Sequence, residues 1–131
     1  MRVLIVEDDS IVAMLIEDSL IEGGHEVLGS VASSSAARRQ VERDIPDLML
    51  VDIHLIDGET GCVLAREVYD HWQVRTLFVT GSLEKARQCA DAIGALIKPF
   101  AATSISAAVD AASAILAGKR PTYVPPELEL F

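Results

Sequence analysis

Apolar and polar positions change period several times along this chain. Val3 to Val6 is a short apolar run rich in β-branched residues, which predicts a buried strand. In "SIVAMLIEDSLIEGG", Val12, Leu15, Ile16 and Leu20 recur at helical spacing, and Gly23-Gly24 suit a C-terminal cap. "EVLGSVA" predicts a second strand. "SSSAARRQVERD" predicts a helix with serines available to cap its N-terminus. "DLMLV", apolar from Leu48 to Val51, predicts a third strand, and "GCVLAREVYDHW" a helix after the loop that carries Gly58 and Gly61. "RTLFVTG" predicts a fourth strand ending at Thr80-Gly81. "SLEKARQCADAIG" predicts a helix with a thin apolar face, and "ALI" a short fifth strand ending at Lys98-Pro99. A last helix is predicted over "SISAAVDAASAILAG", with Ile105, Ala108, Val109, Ala112 and Leu116 on one face. No internal repeat is present.

Strands alternating with helices predict an α/β fold: a five-stranded parallel sheet flanked by five helices. Short right-handed crossovers favour the flavodoxin-like strand order 2-1-3-4-5. In such sheets sites form at the carboxyl ends of the strands, beside the switch point between strands 1 and 3. The first strand ends in Glu7-Asp8, followed by Asp9. The third ends in Asp52, the fourth in Thr80 and the fifth in Lys98. Any one of these polar residues is a common strand end. Together they crowd one edge of the sheet.

The topology brings Glu7, Asp8 and Asp52 close together. Two like charges about 4 Å apart repel by roughly 4 kcal/mol at an effective dielectric of 20. Such acids either protonate or hold a cation. Hard carboxylate oxygens, with no cysteine among them, point to Mg2+. No Ser-His or Cys-His pair stands near Asp52 to activate another nucleophile. A carboxylate can itself attack phosphorus and form an acyl phosphate. Mg2+ and Lys98 would then stabilise charge on the phosphoryl oxygens, and Thr80 could donate to one of them.

Composition narrows the partners. The 131 residues suit one domain, and half are hydrophobic, so a real core can form. The net charge of -9 opposes binding to nucleic acid or anionic membrane. "MRVLIVEDD" has too short an apolar run for a signal peptide, and no stretch reaches the roughly 20 residues of a membrane span. A cytoplasmic location is expected. Cys62 and Cys89 fit no metal spacing and are expected as reduced, buried or half-buried thiols. His25 and His71 are expected at the solvated surface, and Tyr69 and Trp72 as partial core or a helix-end patch rather than a ligand platform.

The pieces "VLIVEDD", "PDLMLVDIHLIDG", "LFVTG" and "LIKPF", in this order and spacing, resemble the receiver domain of two-component response regulators. The resemblance covers residues 1–117, leaving 118–131 as a C-terminal tail. It implies that Asp52 is the phosphoacceptor. Asp8 resembles the direct metal ligand, and Glu7 an acid acting mainly through water. The backbone carbonyl of His54 matches the position that completes the Mg2+ shell. Thr80 matches the switch hydroxyl and Lys98 the family's lysine, with a cis bond to Pro99 implied. "FVTG" partly matches a receiver subclass named for Phe-Ala-Thr-Gly-hydrophobic-Tyr, differing at Val79, Ser82 and Leu83; that subclass implies an HWE-type kinase.

Departures from the family are as informative. Ala95 stands where many receivers carry a rotating aromatic residue, which removes that device. Gly81 stands where Ala is commoner, and Ile56 where Pro is frequent. The helix after the fourth strand is expected to be the least stable. The His54 imidazole is either an exposed loop side chain or one overhanging the site. "KRPTYVPPELELF" cannot continue a helix. It is expected as a frayed or surface-draped tail, with strand addition by "ELELF" as the alternative.

The resulting expectation is a stand-alone phosphoacceptor switch without DNA-binding output, an effector or a phosphorelay intermediate or sink. It would not be an enzyme, although it would assist its own phosphorylation and dephosphorylation. Its partners would be a sensor histidine kinase or phosphotransfer protein and a downstream protein target, and it would be a monomer or weak homodimer. Two alternatives are a phosphatase with an Asp nucleophile and a phosphorylation-independent interaction module. His54, where such phosphatases place a second acid, opposes the first. The complete acid, Thr and Lys set opposes the second.

Overall fold

The computed structural model describes residues 1–89 and 91–131. Its elements are β1 (Arg2–Val6), α1 (Ser10–Glu22), β2 (Glu26–Val31), α2 (Ser34–Arg43), β3 (Leu48–Val51) and α3 (Gly61–Trp72). These are followed by β4 (Arg75–Thr80), α4 (Leu83–Arg87), β5 (Ala92–Ile97), α5 (Ala102–Leu116) and β6 (Leu128–Leu130). The sheet runs β2-β1-β3-β4-β5-β6. Its first five strands are parallel in the expected order, and β6 pairs antiparallel with β5. Among the described residues no helix is long and apolar enough to cross a membrane.

The apolar run of β3 is buried because this strand lies mid-sheet under two layers of helices. Leu48 and Leu50 face α1 and α5, packing with Ile16, Leu20, Ile105 and Val109. Met49 and Val51 face the other way, with Ala37 and Val41 of α2 and Leu64 and Val68 of α3. All four β3 residues are buried, and each such apolar side chain contributes about 1.5–3 kcal/mol. That burial sets where the strand tip lies.

Several expectations are corrected. The sheet has six strands rather than five, because the tail is not frayed: "LEL" pairs with Gly94, Ala95 and Leu96. Backbone bonds from Ile97 N–H to the Glu127 carbonyl and from Phe131 N–H to the Ile93 carbonyl, both 2.9 Å, extend the ladder. A Cβ on Gly94 would lie 2.3 Å from the Glu129 carbonyl oxygen, so a glycine here admits the sixth strand. The helix expected over residues 82–94 stops at Arg87. Asp91 takes a left-handed φ of 69°, and buried Ala92, Ile93 and Gly94 belong to β5 instead. Ala90, inside that predicted helix, lies outside the described residues. On α1, Leu15 faces solvent while Ala13, Ile16 and Leu20 are buried; Leu116 at the end of α5 is likewise exposed.

The His25 side chain is buried rather than solvated. It sits between the N-terminal amine, 3.0 Å from Nδ1, and Asp110 Oδ1, 2.8 Å from Nε2. Cys62 and Cys89 are not separate thiols but are joined as a disulfide, with Cα atoms 5.5 Å apart.

Candidate functional site

Glu7 and Asp52 each stand one residue beyond a strand, and the backbone ladder follows them there. Val6 pairs with Val51, and Val51 with Phe78. Glu7 N–H donates to the Val31 carbonyl and Asp52 N–H to the Val6 carbonyl, each at 2.9 Å. The two acids therefore leave the core side by side. Both are buried, whereas Asp8 is exposed. One carboxylate oxygen from each of Glu7, Asp8 and Asp52 lies within 4.8 Å of the others. A cleft of about 310 Å3 lined by Glu7, Asp8, Ser10, Ala13 and Met14 opens beside them.

Lys98 enters from the end of β5. Its Nζ donates to Glu7 Oε1 at 2.7 Å and to Asp52 Oδ2 at 3.0 Å. Burial pushes the Glu7 carboxyl above its ordinary range, and the bonds from Lys98 and from Asp9 N–H only partly offset that. Burial also works against the Lys98 charge, but its bonds to Glu7 and Asp52 outweigh this and hold the ammonium above its ordinary range. One cation thus faces two buried acids, with a third acid in reach. The donor set fits a second cation: three hard carboxylates converge, with no sulfur among them.

The other expected residues surround this centre. Thr80 is buried at the end of β4. Its Oγ1 accepts from Ser82 N–H at 3.2 Å and its carbonyl from Lys98 N–H at 3.0 Å. His54 N–H lies 3.3 Å from Asp52 Oδ1. The half-exposed His54 imidazole faces Glu59, with Nδ1 3.8 Å from Oε1. The Lys98–Pro99 bond is cis. Ala95 is fully buried, between Phe78 on β4 and Glu129 on β6. Ile56 lacks proline's fixed φ, yet its N–H donates to the Ala32 carbonyl at 3.1 Å, a bond proline could not make.

Two contributors were not distinguished by sequence. Asp9, the third acid of "EDD", caps α1: its Oδ1 accepts from Ile11 N–H at 3.0 Å and Val12 N–H at 3.2 Å. The signal was available, since Asp immediately precedes the helical period. Gly61 opens α3 against the back of the site. A Cβ there would lie 2.3 Å from the Asp52 carbonyl oxygen, and its N–H donates to the Ile53 carbonyl at 3.1 Å.

A doubly wound α/β sheet thus gathers three acids, a hydroxyl and a lysine at its strand ends. A family model for the response regulator receiver domain matches residues 3–110, and the chain belongs to that family. The phyllosphere-induced regulator PhyR of Methylorubrum extorquens is 31% identical over 115 residues, covering 85% of this chain and 43% of that protein. The transcriptional regulatory protein PdtaR of Mycobacterium tuberculosis is 29% identical over 114 residues, covering 85% of this chain and 56% of the relative. The chain thus spans about half the length of these relatives. The solution structure of the receiver domain of Erythrobacter litoralis PhyR superposes with a TM-score of 0.76 at 26% identity, covering 94% of this chain and 95% of that one.

Proposed function

We propose that this chain is a switch of two-component signalling in which Asp52 accepts a phosphoryl group from the phosphohistidine of a sensor kinase or phosphotransfer protein. The observation that carries this is the meeting of Asp52 with Glu7, Asp8 and the Lys98 ammonium at one strand-end pocket. An Asp52 oxygen attacks phosphorus, the P–N bond breaks with its electron pair on the imidazole, and an acyl phosphate forms. Asp8, Asp52 and the His54 carbonyl would hold Mg2+, with Glu7 acting through water. When bound, Mg2+ offsets charge on the phosphoryl oxygens. Lys98 exchanges its bond to Asp52 for one to a phosphoryl oxygen, and the Thr80 hydroxyl donates to another.

The energy suffices for a switch. Charge-assisted hydrogen bonds contribute about 1.5–3 kcal/mol each, so two made only in the active state supply about 3–6. Inverting a 1:99 population needs about 5.5 kcal/mol. The chain assists its own phosphorylation and dephosphorylation but turns over no separate substrate. The net charge of -9 favours output through protein contacts over DNA. The chain would act as an effector or as a phosphorelay intermediate or sink, in the cytoplasm and as a monomer or weak homodimer. The partial "FVTG" match supports an HWE-type kinase as donor.

Incubation with acetyl phosphate and Mg2+, read by intact mass, tests this. One phosphoryl adduct is expected on the native chain and none on Asp52→Asn. An adduct that survives in Asp52→Asn, or that forms equally well after chelation, would contradict it.

A further inference from the structure

The disulfide lies where the site meets its least anchored helix. Cys62 is the second residue of α3, directly after the glycine packed on the Asp52 carbonyl. Cys89 follows α4 by two residues, 27 positions further along the chain. That helix is only five residues long, buries Ala86 alone and has no side-chain N-cap. Apart from the disulfide, an exposed Lys85–Glu59 ion pair joins α4 to the loop before α3. The Cys89 sulfur also lies 3.3 Å from the Lys85 carbonyl oxygen, at the last turn of α4. A cleft of about 260 Å3, lined by Cys62, Val63, Arg66, Glu67, Gln88 and Cys89, gives a small molecule access to the pair.

We propose that Cys62 and Cys89 are a reversible redox site whose disulfide fastens α4 to α3 and restrains the Thr80 end of the sheet. The oxidant is a low-molecular-weight disulfide, RSSR. The Cys62 thiolate, at the more exposed position, attacks one sulfur of RSSR and displaces RS⁻. The Cys89 thiolate then attacks the Cys62 sulfur of the mixed disulfide and displaces the second RS⁻. Two electrons pass from the cysteines to the oxidant, and their two protons end on two RSH. Excess RSH reverses the sequence. Oxidation adds a covalent tie to this solvent-exposed ion pair, so α4 can no longer separate from α3. The effect on phosphorylation rests on Asp52 being the phosphoacceptor; the redox site itself does not.

The test uses the full chain in mixtures of reduced and oxidised glutathione, with free thiols trapped by alkylation and counted by mass. A single step between two free thiols and none is expected, without dimer. Cys89→Ser is expected to stop at a mixed disulfide on Cys62. Oxidation should slow amide exchange of residues 83–87 about tenfold while leaving α1 unchanged. It should also raise the melting temperature by roughly 10 °C. Two free thiols in every mixture, or equal α4 exchange in both states, would overturn the proposal. With Mg2+ and beryllofluoride added, the oxidised chain should need several-fold more beryllofluoride for half response; equal requirement overturns the coupling to the site. No response in either state would instead count against the Asp52 assignment, with thiol count and exchange still deciding the redox site.

Discussion

Two helices follow two site-bearing strands in this molecule, and they are built differently. After the acids of β1 comes α1, 13 residues long, capped by Asp9 and anchored through Ala13, Ile16, Ser19 and Leu20. After Thr80 of β4 comes α4, five residues long, uncapped by any side chain and anchored through Ala86. The acid side is organised before any ligand arrives: backbone bonds hold Glu7 and Asp52, and Gly61 packs on the Asp52 carbonyl. The hydroxyl side, once the Cys62–Cys89 disulfide is reduced, has few packing constraints to break. The switch proposed above would use this division. One half must hold charge in a fixed geometry, and the other must change its packing when that charge changes.

Matched glycines give the largest expected contrast. Gly61→Ala would drive a methyl into the Asp52 carbonyl and should cost about 3 kcal/mol, with loss of Mg2+ binding. Gly81→Ala meets no atom within 4 Å and should be neutral or stabilising by about 0.5 kcal/mol. Urea unfolding of both variants decides this, and equal costs would erase the contrast. Matched caps come next. Asp9→Ala removes two capping bonds and should cost about 1 kcal/mol, while Ser82→Ala removes none and should cost about zero. Thermal melts of the pair measure the difference.

The smallest effect is on pH. Burial holds the folded Glu7 carboxyl above its ordinary value, so its contribution to stability is present below that value and lost as pH rises through the raised one. Mg2+ competes with that proton. Its affinity should therefore climb with pH through a range above 4.5, and Glu7→Gln should flatten the climb. Calorimetric titration of Mg2+ at stepped pH measures it. A pH-independent affinity in the native chain would show that Glu7 is not linked to the metal.

Most of the acid side was legible in the sequence because its signals are local. The apolar run of β3 ends at Asp52, and that of β1 at Glu7-Asp8, so period and polarity locate both tips. The hydroxyl side was less legible because its structure depends on distant pairing. Ala92-Ile93-Gly94 fits a helix or a strand by composition. Pairing with Thr76 and Leu77 on one side and Leu130 on the other makes it β5. "ELELF" alternates like a strand, yet only the close approach allowed by Gly94 provides its place. The disulfide joins residues 27 apart and leaves no local pattern, and His25 is buried by a chain terminus and Asp110, neither of which its neighbours reveal.

Amide NMR of the full chain, titrated first with Mg2+ and then with beryllofluoride, tests the division most directly. Mg2+ should move resonances at 7–9 and 52–54 while leaving 83–87 in place. Beryllofluoride should then move Thr80, residues 81–87 and Lys98, and should move none of them in Asp52→Asn. Shifts of 83–87 on Mg2+ alone, or a beryllofluoride response that persists in Asp52→Asn, would contradict the account.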